Sequence, residues 1–347
     1  MYNINVVLLS YRQTELALQI VAQCCDLATR MSGVLFSFGF GGDCSALKTT
    51  YQEMINQTTD RGGEARMICC RDIGERMDYC LNSSKEWTLF VSDDDIFSIN
   101  YLRSISDATF HAEAHVSLIN ASAYLLTNPG DATQIASRHI DDPDIRARYR
   151  TFNDLAFRGV SFWGAHRSNC VMKWFAYFKE KGSFPSYIDM ILLTLGILSG
   201  ACLSTQENTF ISYDLSNWSN LDVSVISDSK SYDKPQSVLF HELFWCVDSY
   251  KILKSSGLIE KVYTDYLVWW VGMMQRMIQM YMVRKQILKL DDALVPDLYI
   301  EKIVELVGWF SKLNFFNQAE YLLNCFCDLE AEIVHFLGCH KNSRLVA

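Results

Sequence analysis

Residues 87–96 read WTLFVSDDDI, a short apolar run from Trp87 to Ser92 that stops at three consecutive carboxylates, Asp93, Asp94 and Asp95. A run of this length, bounded by polar residues, is the pattern of a strand buried on both faces. Three neighbouring carboxylates at the end of a buried strand repel one another, so they need a cation or hydrogen-bond donors to stand there stably. A hard divalent ion, Mg²⁺ or Mn²⁺, meets that need: it takes oxygen from one or two carboxylates and fills its other positions with substrate phosphates and water. The alternative is a cap or solvated turn before the segment Ile96 to Ile105, because Asp is favoured at helix starts.

Upstream of this stretch the chain repeats one unit. Ile4 to Ser10 reads as a buried parallel strand and Thr14 to Thr29 as a helix, with Leu16, Ile20 and Leu27 at helical spacing. Val34 to Phe38 and Ser45 to Gln57 form the second pair, Ala65 to Cys70 and Ile73 to Ser83 the third, before the strand at Trp87. Strands alternating with helices predict an α/β fold with a doubly wound, mostly parallel sheet. In such sheets ligands bind beyond the carboxyl ends of the strands. The loops after Ser10, Phe38 and Cys70, and the acidic run itself, all fall at that edge.

Downstream, Val116 to Leu126 and Gly159 to Gly164 read as further strands, and the charged stretch from Gly130 to Asn153 as a mobile loop over the site. From about Pro235 the pattern changes to long helical periodicity. The expected organisation is therefore an α/β domain over 1–215, a polar linker over 216–236 and a helical C-terminal domain over 237–347. Trp245, Trp269, Trp270 and Trp309 in that last part suit core packing, with contact to a protein or a membrane surface as the alternative; a strong basic face, the usual membrane signal, is lacking. Tyr266 to Val283 is the most apolar long stretch, but Gln275, Arg276 and Gln279 interrupt it, so it is not expected to span a bilayer.

Composition narrows the class. Half of the 347 residues are hydrophobic and 20% are charged, the profile of a packed globular enzyme. A formal net charge of −9 opposes general binding to nucleic acid, which draws most of its free energy from Lys and Arg on phosphates. The opening MYNINVVLLSYRQ lacks the basic and apolar regions of a secretory signal, which gives a reducing, cytoplasmic location as the expectation, with peripheral attachment to the inner face of a membrane as its extension. The 12 cysteines are accordingly expected as free core thiols, since Cys24-Cys25, Cys69-Cys70 and Cys325/Cys327 do not repeat the spacing of a structural zinc site.

The stretch RDIGERMDYCLNSSKEWTLFVSDDDIFSINYL, residues 71–102, resembles the central signature of the GT-A glycosyltransferases, particularly the family-2 group of bacterial cell-surface polysaccharide enzymes. The opening VVLLSYRQ is similar to that family's first strand and the loop lining its nucleobase pocket. The resemblance covers roughly Ile4 to Leu203 and implies a nucleotide-diphosphate sugar as donor and Mn²⁺ or Mg²⁺ as cofactor. Carried over by position, Ser10, Tyr11 and Arg12 would edge the base and ribose, and Arg71 or Arg76 the diphosphate. Asp93 and Asp94 would face ribose and phosphates, with Asp95 the first choice for the metal and Asp93 beside it.

Two places depart from the family pattern. Its second strand ends in an acid that binds the base, whereas here FSFGFGGDCS displaces the nearest acid to Asp43. Its Glu-Asp pair near the acceptor is replaced, after GVSFWGAHRSNCVMKWFAYF, by PSYIDMILLTLGI, with Asp189 alone. An inverting transfer needs a carboxylate to take the acceptor hydroxyl's proton. Asp189 is the candidate base, and a helix-start Asp interacting with the macrodipole is the other reading. Trp163, His166 and Arg167 would contact a glycan or lipid-linked glycan acceptor, with His166 also weighed as a metal ligand. The implied function is sugar transfer to a hydroxyl; a catalytically weak GT-A module in a glycan-assembly complex and a nucleotidyltransferase are the competing readings.

Overall fold

Strand β1 (Ile4–Ser10) lies at the centre of the parallel part of the sheet, and all of its residues but Leu9 are buried. The computed structural model describes residues 2–10, 15–41, 45–93, 96–128, 131–135, 137–154, 164–181, 188–213, 249, 251–262 and 265–266. Within them β1 is followed by α1 (Glu15–Arg30), β2 (Val34–Phe40), α2 (Ser45–Asp60), β3 (Glu64–Cys69), α3 (Ile73–Leu81) and β4 (Trp87–Ser92). Next come β5 (Ile96–Phe97), α4 (Ile99–His111), β6 (Val116–Asn128), β7 (Asp131–Ile135), α5 (Ile145–Asp154), β8 (Ala165–Arg167), α6 (Ser168–Lys181), α7 (Ile188–Ser199) and β9 (Ala201–Tyr213). The fold class is the expected one: α/β, with β3, β2, β1 and β4 all parallel in that order.

The nine-stranded sheet continues from β4 through β8, β6 and β9 to β5, with β7 paired to β6. This half is mixed. β8 runs antiparallel between β4 and β6, while β6 and β9 are parallel to each other. Gly164 leads into β8 with its backbone against Ile119, where an added Cβ would stand 2.4 Å from the carbonyl oxygen.

Each face of the parallel half has its own chemistry, because side chains alternate along a strand. Phe36, Phe38 and Phe40 of β2 point to one face and stack in succession, joined by Ile4, Val6 and Leu8 of β1 and by α1 residues Ile20, Val21 and Cys24. The α1 positions recur at the helical spacing that makes one apolar stripe. On the other face Asn5 is fully buried and polar, donating from Nδ2 to the Cys80 carbonyl at 2.8 Å and accepting from Ser37 Oγ at 2.8 Å. Arg66 completes this network, with Nε to Ser37 Oγ at 2.9 Å and Nη2 to Cys80 O at 2.9 Å. A buried polar group is tolerated when it is fully partnered, and here the partners tie α3 to β1 and β2. Gly39 allows the close approach, since a Cβ there would meet Leu9 Cδ2 at 2.9 Å and Arg76 Cβ at 3.3 Å.

Two expectations need correction. The stretch 130–153 is not a simple loop: it carries β7 and α5. The reason is an anchor that periodicity conceals, since α5 is charged overall yet buries Tyr149 and Phe152 and draws Arg148 inward. Arg148 donates from Nε to the Ile197 carbonyl at 3.0 Å and from Nη1 to the Asp142 carbonyl at 2.7 Å. Of the strand expected at 159–164, residues 159–163 lie outside the described residues; Gly164 forms a bend and leads into β8 at Ala165–Arg167. Finally, Cys69 is disulfide-bonded, whereas Cys24, Cys25, Cys70, Cys80, Cys170 and Cys202 are free as expected.

The chain divides into two compact units, Met1–Phe184 with Leu192–Asn220, and Pro185–Ile191 with Leu221–Ala347. Asp189 falls in the stretch Pro185–Ile191 that groups with the second unit. Its described residues 251–255 and 259–262 are helical, turning at Gly257 with φ 64° and burying Ile252, Leu253, Ile259 and Val262. Most of 237–340, where helices were expected, lies outside the described residues, as does the stretch from 267 to 283. Among the described residues no helix is long and apolar enough to cross a membrane.

Candidate functional site

The order β3-β2-β1-β4 contains a reversal. The chain steps from β1 to β2 to β3 in one direction, then returns to place β4 on the opposite side of β1. Connections on the two sides of such a reversal leave opposite faces, which opens a crevice at the carboxyl ends of the two strands that flank it. Those strands are β1, ending at Ser10, and β4, running into Asp93.

Ser10 and Asp93 meet there. The Ser10 hydroxyl donates to Asp93 Oδ2 at 2.6 Å, and both residues are buried, Asp93 to 3% exposure. Their backbones are fixed by register, Leu9 opposite Ser92 and Ser10 opposite Phe40, and Gly41 N donates to the Ser10 carbonyl at 2.8 Å. A charge-assisted bond of this kind holds the carboxylate in one orientation.

Capping does not account for the acidic run. The N-cap of α4 is Ser98, whose hydroxyl accepts from Tyr101 N at 3.0 Å, and the two-residue strand β5 stands between the acids and that helix. Asp94 and Asp95 lie outside the described residues, as do Tyr11, Arg12, Asp43 and Trp163. Among the described residues no group of three or more potential ligands is gathered for a metal. Asp93 nonetheless presents hard carboxylate oxygen, the donor type that Mg²⁺ and Mn²⁺ select.

Arg71 and Arg76 stand at the β3 end of the same edge and differ sharply. Arg71 is exposed. Arg76 is 1% exposed and donates from Nη1 to the carbonyls of Cys70 at 2.5 Å and Arg71 at 3.0 Å. Its guanidinium is the buttress of the turn between β3 and α3, a turn that Asp72 also closes as N-cap by accepting from Glu75 N at 2.8 Å.

The structure does not bring His166 and Arg167 to this edge. Arg167 pairs with Trp87 across β4 and β8, at the start of β4, six residues before Asp93 and so roughly 20 Å away along the strand. There it donates to the carbonyls of Val116 at 2.7 Å and Glu113 at 2.8 Å, pairs with Glu86 and covers the Trp87 ring at 4.0 Å. A cavity of about 410 Å³ lies at that opposite end, lined in part by Glu86, His115, Arg167 and Ser168. His166 is 0% exposed, with its ring edge-on to Phe90 at 6.2 Å.

Asp189 occupies the first turn of α7, in the second unit, and is half-buried. Burial pushes its carboxyl up from the ordinary value of 3.8 to about 6, while backbone N–H donors at Met190 and Asp189 itself pull the other way. A carboxyl poised near neutrality is fit for proton transfer.

Sequence reasoning passed over Tyr51, which the structure sets beside this edge. Its ring stacks on Phe40 with centroids 4.1 Å apart and planes 5° apart. The only hint in the sequence was an aromatic residue in a polar helix.

Neither a protein-family model nor a curated protein matches the chain. Among solved structures, S. aureus TarS in complex with UDP-GlcNAc is 13% identical with a TM-score of 0.46, over 80% of this chain and 81% of that one. A second TarS structure is 9% identical with a TM-score of 0.43, over 82% and 88%. Glucosyl-3-phosphoglycerate synthase from Mycobacterium tuberculosis in complex with Mg²⁺ and UDP is 12% identical with a TM-score of 0.36, over 60% of this chain and 70% of that one. At these values the likeness assigns neither donor nor acceptor to this chain.

Proposed function

We propose that the chain is a metal-dependent, inverting glycosyltransferase that moves a sugar from a nucleotide-diphosphate sugar to a hydroxyl of a glycan or lipid-linked glycan. The observation that carries this reading is the Ser10–Asp93 hydrogen bond at the crevice of a parallel sheet, with Asp94 and Asp95 next in the chain. That crevice is where open α/β sheets bind nucleotides. Tyr11 and Arg12 follow Ser10 in the role of base and ribose contacts, Asp43 follows β2, and the exposed Arg71 serves the diphosphate. Arg76 serves it indirectly, by holding the turn that carries Arg71.

The carboxylates of Asp93 and Asp95 suit Mg²⁺ or Mn²⁺, which when bound would offset charge on the departing diphosphate. Asp189 takes the proton of the acceptor hydroxyl as its oxygen bonds to the anomeric carbon. The bond from that carbon to the diphosphate breaks, and its electron pair leaves with the nucleotide. The C-terminal part of the chain, from residue 237 on, would provide the face for a protein partner or a membrane surface.

The test is a panel of nucleotide-diphosphate sugars, read as thermal stabilisation and as release of free nucleotide with Mn²⁺, with Mg²⁺ and with excess chelator. Metal-dependent stabilisation and turnover are expected, and both should vanish in Asp95→Ala. Undiminished turnover in chelator would overturn the metal's role, and binding without any turnover would turn the reading to a partner module.

A further inference from the structure

Tyr51 is only 2% exposed, and its hydroxyl makes no hydrogen bond. A phenylalanine would fill the same space and keep the same stack on Phe40, without burying an unsatisfied polar atom. The hydroxyl therefore has no structural purpose in the chain by itself. Its position suggests another one. Phe40 is the register partner of Ser10, Ser10 donates to Asp93, and the side chains of Phe40 and Ser10 share the sheet face on which Tyr51 of α2 packs. Burial and, after it, the nearby Asp93 carboxylate push its pKa up from 10.0. With or without that shift a tyrosine hydroxyl is a hydrogen-bond donor at neutral pH.

We propose that the Tyr51 hydroxyl is a specificity-determining donor of the nucleotide site, given to an oxygen of the nucleoside portion, either a ribose hydroxyl or a base carbonyl. The inference rests on the nucleotide reading above and adds to it a contact from α2, an element that the sequence resemblance leaves without a role. Asp93 and Tyr51 would then divide the work: the carboxylate accepts from the nucleotide or holds its metal, and the phenol donates.

The experiment compares the parent with Tyr51→Phe for binding of UDP, GDP, CDP and dTDP in Mn²⁺ by calorimetry, together with the melting temperature of each protein without ligand. Tyr51→Phe should weaken the preferred diphosphate about fivefold to tenfold, the range of one neutral hydrogen bond. Its melting temperature without ligand should stay the same or rise. The 2′-deoxy form of the preferred ribonucleotide separates the two acceptors. If parent and variant bind it equally, the acceptor is the ribose 2′-hydroxyl; if the variant still binds it more weakly, the acceptor lies elsewhere on the nucleoside. Unchanged affinity, or a melting temperature lowered by several degrees, would overturn the inference while leaving the nucleotide site intact. A parent that binds none of the four diphosphates would instead overturn the nucleotide reading itself, and this inference with it.

Discussion

Ser10 and Asp93 lie 83 residues apart in the chain and 2.6 Å apart in space, one at the end of each strand flanking the reversal of the sheet. The hydroxyl has one proton to give and gives it to Asp93, which holds that carboxylate in one orientation at the end of β4. Ser10→Ala removes this restraint from a buried carboxylate. A hydrogen bond to a charged group contributes about 1.5–3 kcal/mol. Transfer by Ser10→Ala should therefore fall about tenfold to a hundredfold in kcat/KM, with the far-ultraviolet circular dichroism unchanged. Parental kcat/KM would show that the bond is incidental to donor binding.

Separate residues cap α4 and carry the acids, so the two functions can be broken independently. Ser98→Ala removes the N-cap bond to Tyr101 N and should cost about 1 kcal/mol of stability, seen as a lower melting temperature. Because Ser98 is not one of the acids, donor binding by that variant should stay close to parental. Asp95→Ala should show the reverse, with binding lost and melting little changed. If Ser98→Ala also abolished metal-dependent binding, the acids would owe their place to the helix start.

Arg76 contributes geometry more than charge. One guanidinium nitrogen donates to two carbonyls of the β3–α3 turn, those of Cys70 and Arg71. Arg76→Met keeps the buried stem and removes both donors, and should destabilise the chain by about 1–3 kcal/mol, since each such hydrogen bond contributes about 0.5–1.5 kcal/mol. Donor affinity should fall with it as the turn bearing Arg71 loosens. A stable variant with weakened binding would instead point to direct contact between Arg76 and the diphosphate.

The half of the fold ending at Asp93 was legible because each strand is a short apolar run and each helix keeps one apolar stripe, and local pattern governs both. The later half was less so. α5 is tethered by the inward turn of Arg148 to carbonyls near and far in sequence, and β8 is only three residues long, so neither leaves a periodic signal. The place of Asp93 at the end of a buried strand was readable from the apolar run before it, but its bond to Ser10 was not, since that needs the register of β1 beside β4. Tyr51 and the buttressing by Arg76 were not readable, since both depend on contacts across α2, α3 and the strand ends. His166 and Arg167 mislead for a simple reason: β8 is antiparallel, so residues late in it stand at the start of β4.

Asp189 gives the pH dependence, and its sign follows from which state holds the proton. The carboxyl titrates near pH 6 in the folded chain against an ordinary value of 3.8, with burial as the cause. Between those values the folded state binds more protons than the unfolded one, so stability falls as pH rises from about 4 to about 6 and then levels off. A base must be unprotonated to act, so kcat should rise with pH through the same upper limit and reach its plateau above about pH 7. Asp189→Asn should remove that limb, slow transfer at least about a hundredfold at the plateau, and spare the affinity for nucleotide and metal. It should also flatten the decline in melting temperature between pH 4 and 6. The measurements are a kcat–pH profile and a melting-temperature series for parent and variant. A variant that loses the melting-temperature slope but keeps near-parental turnover would show that Asp189 is a buried helix-start acid and no more, and the inverting assignment would lose its base.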